Sequence, residues 1–124
     1  MTAKEFLSLY KANMEKIRQN RSRMISAERR ALENCSRNYF EYTSEFEDKL
    51  WEENEELARE MVDVERAIEQ LPDGNCKQVL CKRYISGKKW SEIAEEMCYS
   101  EQHIHRLHQK ALNQLILPLR YRNS

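Results

Sequence analysis

Glycine and proline are almost missing from this chain: two of each occur in 124 residues, and neither occurs between Met1 and Gln70. So few turn-formers exclude a sheet protein built from many hairpins, and no run of alternating β-branched residues bounded by turn chemistry is found. No apolar run approaches the roughly 18 residues of a membrane span. The first residues, MTAKEFLSLYKANMEK, lack the unbroken apolar stretch of a secretory signal. The expected place is therefore the cytoplasm, away from membranes, where the four cysteines would be reduced thiols. Cys76 and Cys81 do not have the Cys-x2-Cys spacing of a zinc knuckle. His103, His105 and His108, with Cys98 nearby, fall at i, i+2 and i+5 of a helix and point in different directions, so no metal site is expected. There is no glycine-rich phosphate loop and no Cys/His or Ser/His pairing in a plausible pocket. Catalytic and cofactor-binding residues are not expected, and the chain does not read as an enzyme.

Net charge is missing too: 21 basic residues balance 21 acids. The distribution matters more than the sum. Residues 1–37 hold nine Lys or Arg against four acids, 38–75 three against thirteen, and 76–124 nine against four. A neutral average thus hides a basic C-terminal segment, and a local field governs the approach of a polyanion.

Helical periodicity is present throughout, so the fold class is all-α: a long N-terminal helical hairpin or coiled coil followed by a three-helix helix-turn-helix domain. Leu7, Tyr10, Met14, Ile17, Met24, Ala31 and Cys35 step by three and four, with Arg21 and Glu28 in the same register. A second stripe runs through Phe46, Leu50, Leu57, Met61, Val64, Ile68 and Leu71. A turn or kink is expected between Arg37 and Ser44, with Thr43 or Ser44 as the N-cap. Trp51 with Tyr39, Phe40 and Tyr42 reads as packing at a helix end, and Glu52 to Glu56 as a solvated face. The basic first helix and acidic second helix attract as an antiparallel hairpin, but exposed pairs contribute only about 0.2–1 kcal/mol each. The same stripes would serve a coiled coil between two copies, so a homodimer through residues 1–71 is the alternative.

Leu71-Pro72-Asp73-Gly74-Asn75 marks the boundary, because proline disfavours helix at the residue before it and Asp-Gly supplies a turn. The domains expected are therefore 1–71 and 76–118. A helix from about Cys76 to Ser86 packs Val79, Leu80, the stem of Arg83, Tyr84 and Ile85 onto the last two helices, and Gly87 stops it. A helix from Ser91 to Met97 carries Ile93, Ala94 and Met97, with Trp90 over Ile93 and Ile85 and Ser91 as N-cap. Cys98-Tyr99-Ser100 forms the turn. A helix from Glu101 to about Leu115 buries Ile104, Leu107, Ala111 and Leu115 before Pro118 ends it. Its free face carries Gln102, His103, His105, Arg106, Gln109 and Lys110, types that donate hydrogen bonds to base edges and phosphates in a major groove. Ser100 can cap this helix, and Cys98 occupies a turn position that costs roughly 1 kcal/mol if its backbone is left-handed.

RYISGKKWSEIAEEM followed by YSEQHIHRLHQKALNQL resembles the region-4 helix-turn-helix of sigma-70-type factors, which reads the promoter −35 element. The whole chain looks like small phage and prophage proteins that join a long helical half to such a module, among them ArpU-type late-gene regulators. By that resemblance the −35-reading positions fall on Glu101, Gln102, His103, His105, Arg106 and Lys110. Histidine at two of these positions and glutamate at the first make the electrostatic share of affinity modest. Arg106 is the candidate guanine reader and Gln102 an adenine partner; Lys88, Lys89 and Lys110 are candidate phosphate contacts.

The expected function is a sequence-specific DNA-binding transcriptional regulator of phage or prophage genes, with double-stranded DNA as partner and host RNA polymerase as a second one. Two rival readings are a DNA-packaging protein resembling a small terminase subunit and an interaction module that binds polymerase or a sigma factor without touching DNA.

Overall fold

The computed structural model describes residues 1–34 and 37–122, with the side chains of residues 34 and 37–43 excepted. Among the described residues all regular structure is helical: α1 (Ala3–Asn34), α2 (Arg37–Glu69), α3 (Gly74–Leu80), a π-helical turn (Cys81–Ile85), α4 (Trp90–Met97), α5 (Glu101–Gln114) and a 3-10 turn (Leu119–Tyr121). The all-α class follows from the composition, since nothing before Pro72 has to break a helix.

The turn or kink expected near Arg37 to Ser44 does not interrupt the helix that begins at Arg37. α2 begins at Arg37, so Thr43 and Ser44 lie inside a helix of 33 residues instead of capping it. The propensity deficits of Asn, Ser and Thr are below about 0.7 kcal/mol per residue, too small to break a long helix without a proline or glycine. Cys35 lies outside the described residues, as do the side chains of Tyr39, Phe40, Tyr42 and Thr43.

The chain forms two compact units, one of residues 12–60 and one that unites residues 1–11 with 61–124. The division therefore does not fall between Leu71 and Cys76.

In the first unit α1 and α2 pair antiparallel within one chain. The Asn13 side-chain amide donates to the Leu57 carbonyl at 3.1 Å and to Glu60 at 2.9 Å, and Asn20 donates to the Asn54 side chain at 2.9 Å. The Arg23 guanidinium lies over the Phe46 ring, 5.2 Å from its centroid. Asn13, Asn20, Ala27 and Ala31 are buried on α1 and Leu50 and Leu57 on α2. The seam thus runs through Asn13, Asn20 and Ala27, one residue ahead of the expected Met14, Arg21 and Glu28. Arg21 and Glu28 are exposed. Asparagine reaches across and satisfies its own amide, which an unpaired buried amide would not.

In the second unit the core draws on both ends of the chain. Phe6 and Leu7 from the start of α1, and Val64, Ile68 and Leu71 from the end of α2, are buried in one cluster with Val79, Leu80, Ile93, Ile104, Leu107 and Ala111. Burying side chains of this size contributes about 1.5–3 kcal/mol each, so the helix-turn-helix is not self-sufficient. Pro118 does not end the ordered structure. The turn after it buries Tyr121, whose ring meets Phe6 at 4.8 Å and whose hydroxyl donates to Asp63 at 2.9 Å. Arg120 pairs with the same carboxylate. Burial, and then the Asp63 bond, push the Tyr121 hydroxyl up to about 12.

Candidate nucleic-acid interface

Asp73 opens the module. Its carboxylate accepts the backbone N–H of Asn75 at 2.9 Å and of Cys76 at 3.3 Å, so α3 starts at Gly74, two residues earlier than expected. α3 then widens into a π turn, where the Ser86 N–H donates to the Cys81 carbonyl at 3.0 Å. Gly87 comes next at φ +70, the left-handed geometry of a terminating glycine.

α4 starts at Trp90, with Lys89 at the N-cap position. Ser91, the expected cap, is inside the helix. The Glu92 carboxylate reaches back and accepts the Lys89 N–H at 3.4 Å, the N3-to-N-cap half of a capping box. Ile93 and Ala94 are buried toward the neighbouring helices. Cys98 then turns the chain at φ 59 and ψ 38, left-handed as the turn position requires. The Ser100 hydroxyl accepts the His103 N–H at 3.1 Å and caps α5.

α5 sends Ile104, Leu107, His108, Ala111 and, just past its end, Leu115 inward. Glu101, Gln102, His105, Arg106, Gln109 and Lys110 are exposed and share the outer side, with His103 half-buried at its edge. The expected site residues on α5 are thus brought together on one helix. His103 sits edge-on to Tyr99 at 4.6 Å, and His105 lies 4.7 Å from Trp90. Gln109 donates to Asn113 at 3.4 Å.

The lysines are less free than their charge suggests. Lys110 bonds Asp73 at 2.9 Å, which raises the ammonium and lowers the carboxylate from their usual ranges. Lys88 is held by Glu96, to which Lys82 also donates at 3.4 Å. The Lys88 bond, more than Lys82, keeps that carboxylate below the ordinary range. Lys89 and Arg106, both exposed, have no carboxylate partner among the described residues. A lysine already compensated by an acid releases fewer counterions from DNA, so Lys89 and Arg106 are better placed than Lys88 and Lys110 to meet phosphates.

Sequence reasoning packs the stem of Arg83 but does not place its head, and it misses the burial of His108, both beside this face. Arg83 stacks its guanidinium 4.4 Å over Trp90 and donates to the Lys88 carbonyl at 3.0 Å. Its stem-and-head geometry has no sequence signal beyond a base preceding two aromatic positions. His108 is buried, its Nε2 2.7 Å from the Tyr84 hydroxyl and its ring 4.7 Å from Trp90. Burial above all, then Lys4, His105 and Arg83, lowers it to about 4. Its place next to Leu107, four residues after Ile104, completes the wide apolar stripe and was the available clue.

Residues 67–115 match the family model described as Sigma-70, region 4. The match begins in the last turns of α2, where Ala67 and Ile68 enter the same core. No curated protein and no solved structure matches the chain. This portion of the chain carries a sigma-70 region-4-like helix-turn-helix, a DNA-binding type of module.

Proposed function

We propose that the chain is a sequence-reading DNA-binding regulator of phage or prophage transcription, with α5 entering the major groove. The observation that carries this reading is the exposed side of a Ser100-capped α5, bearing Gln102, His105, Arg106 and Gln109, on a region-4-like frame. Arg106 donates to a guanine and Gln102 pairs with adenine, while Lys89 and the N-terminus of α5 meet phosphates. Lys110 and Lys88, tied to Asp73 and Glu96, add little to the salt-dependent part of affinity. Host RNA polymerase is a second partner in this reading, and no chemistry is assigned to any residue. Among the described residues no helix is long and apolar enough to cross a membrane.

The test is selection of fragmented host and phage DNA by the purified full chain, beside a His105→Ala/Arg106→Ala double variant. One motif recovered by the natural chain and lost in the variant is expected. No enrichment from either protein refutes the reading and points to a packaging role if the particle is a large ring, or to a polymerase-bound partner if it is small.

A further inference from the structure

The seam of the hairpin is occupied within one chain. Asn13, Asn20, Ala27, Leu50 and Leu57 are spent on pairing α1 with α2 of one chain. Yet the hairpin leaves two large apolar side chains outside: Ile25 is 58% exposed and Trp51 62% exposed, with Leu32 exposed one heptad after Ile25. The indole of Trp51 has found only a surface partner, donating to Glu55 at 3.1 Å.

These residues share a flank. On α1, Arg18, Ile25 and Leu32 each come just after a seam position, and on α2, Trp51, Glu55 and Ala58 come just after Leu50, Asn54 and Leu57. In an antiparallel pair of right-handed helices, the residue after each seam residue falls on the same side of the pair. They also share levels along the axis. Asn20 stands beside Asn54 and Arg23 beside Phe46, so Trp51 lies level with the Asn20–Arg23 turn. Ile25 is then within about one helical turn (5.4 Å) of Trp51 along the axis. Glu55 is level with Arg18 by the same register.

Charge selects the partner that covers this flank. Residues 12–34 hold six bases and three acids, and residues 37–60 hold three bases and nine acids. A second hairpin related by a two-fold axis parallel to the helices sets each α1 antiparallel on the other copy's α2, basic against acidic. A two-fold axis across the helices sets like on like, and like charges repel. In the first arrangement Ile25 of one copy meets Trp51 of the other, and Arg18 meets Glu55. Among the described residues Arg18 pairs with its exposed neighbour Glu15, at 3.1 Å.

We propose that a second copy of this chain docks on the flank carrying Ile25 and Trp51, forming a four-helix bundle in which α1 of each copy packs on α2 of the other. Two tryptophans, each burying at most about 150–250 Å², supply only part of the roughly 1,200 Å² at the lower end of specific interfaces. The dimer is therefore concentration-dependent. This stands apart from the DNA reading, which needs only α4 and α5.

Sedimentation equilibrium of the full chain from about 1 to 100 μM tests it, a range that brackets a micromolar dissociation constant. The mass is expected to rise from 15.0 kDa to twice that value. Ile25→Glu and Trp51→Ala, with helicity checked by circular dichroism, are expected to weaken association about ten-fold or more. Arg18→Glu and Glu55→Arg each weaken it alone, and mixing the two variants restores it, because only pairing between chains brings the reversed charges together. A monomer throughout, a particle larger than a dimer, insensitivity to both apolar variants, or a mixture no tighter than its components overturns the proposal. A monomer that still selects one DNA motif overturns the dimer and leaves the DNA reading intact.

Discussion

Replacing Phe6 with alanine should destabilise a helix-turn-helix that begins more than 60 residues later in the sequence. Phe6 is fully buried, and its ring packs 4.8 Å from that of Tyr121 in the core that also holds Ile93 and Ile104. Phe→Ala in such a site costs about 3–5 kcal/mol through lost transfer energy and a cavity. Loss of the aromatic pair accounts for about 0.5–1.5 kcal/mol. Whole domains are stable by about 5–15 kcal/mol, so one substitution removes a large share. Urea unfolding followed by Trp90 fluorescence, in a Trp51→Phe background, reads the module itself. A loss of unfolding free energy below about 1 kcal/mol would show that the first turns of α1 are not part of this core. The same reasoning applies to a fragment of residues 72–124, which lacks Phe6, Leu7, Val64, Ile68 and Leu71. At about 1.5–3 kcal/mol each, their loss is comparable to the stability of a whole domain, so this fragment should not show cooperative unfolding.

Other expectations concern the site and its supports. His108, lowered to about 4 by burial, is neutral in the folded protein while the unfolded chain takes up a proton below the usual 6.5. Its contribution is therefore complete above pH 6.5 and falls by about 3 kcal/mol as pH drops to 4, a slope that His108→Gln should abolish in melting curves. Arg106→Ala should cost about 1–3 kcal/mol on the selected site and relax one base position, and an equal loss on random DNA would reduce it to a phosphate contact. Lys89→Ala should lower the salt slope by about 1, whereas Lys88→Ala, with its lysine held by Glu96, should change it less; equal effects would show that the Glu96 pair opens on DNA. Cys98→Gly should raise the melting temperature by relieving up to about 1 kcal/mol of left-handed strain, and a drop would mean that the thiol is packed.

The sequence carried the outline of this fold because its strongest signals are local. Sparse glycine and proline made α1 and α2 long, and Ser100, Cys98 and Gly87 mark turns whose geometry their own positions reveal. The failures arise where a distant partner decides. Asn13 and Asn20 look like solvent residues until α2 supplies Leu57, Glu60 and Asn54 to satisfy them, which shifts half of the seam by one residue. Trp51, expected to pack at a helix end, is exposed because Leu50 beside it takes the seam. Leu7 reads as the start of a helical stripe and Phe6 has no place in it, but both belong to the core formed with α2's last turns and Tyr121. On the candidate interface, the polar side of α5 was legible from period alone. The neutralisation of Lys110 by Asp73 was not, since it joins residues 37 positions apart.

The unit that unites residues 1–11 with 61–124 has an architectural consequence. The hairpin of residues 12–60 is an insertion inside the chain of the helix-turn-helix unit, not a preface to it. Closing a loop of about 50 residues is an entropic cost that rises by only about 0.6 kcal/mol for each doubling of length. Whole heptads added symmetrically to α1 and α2 would therefore lengthen the arm while leaving the core around Phe6 and Ile104 in register. The arm's length is a dimension that lineage or engineer can vary almost independently of the surface offered to DNA. Folding must also keep a set order during synthesis: the first eleven residues wait for α2's end and all of α3–α5 before their core can close.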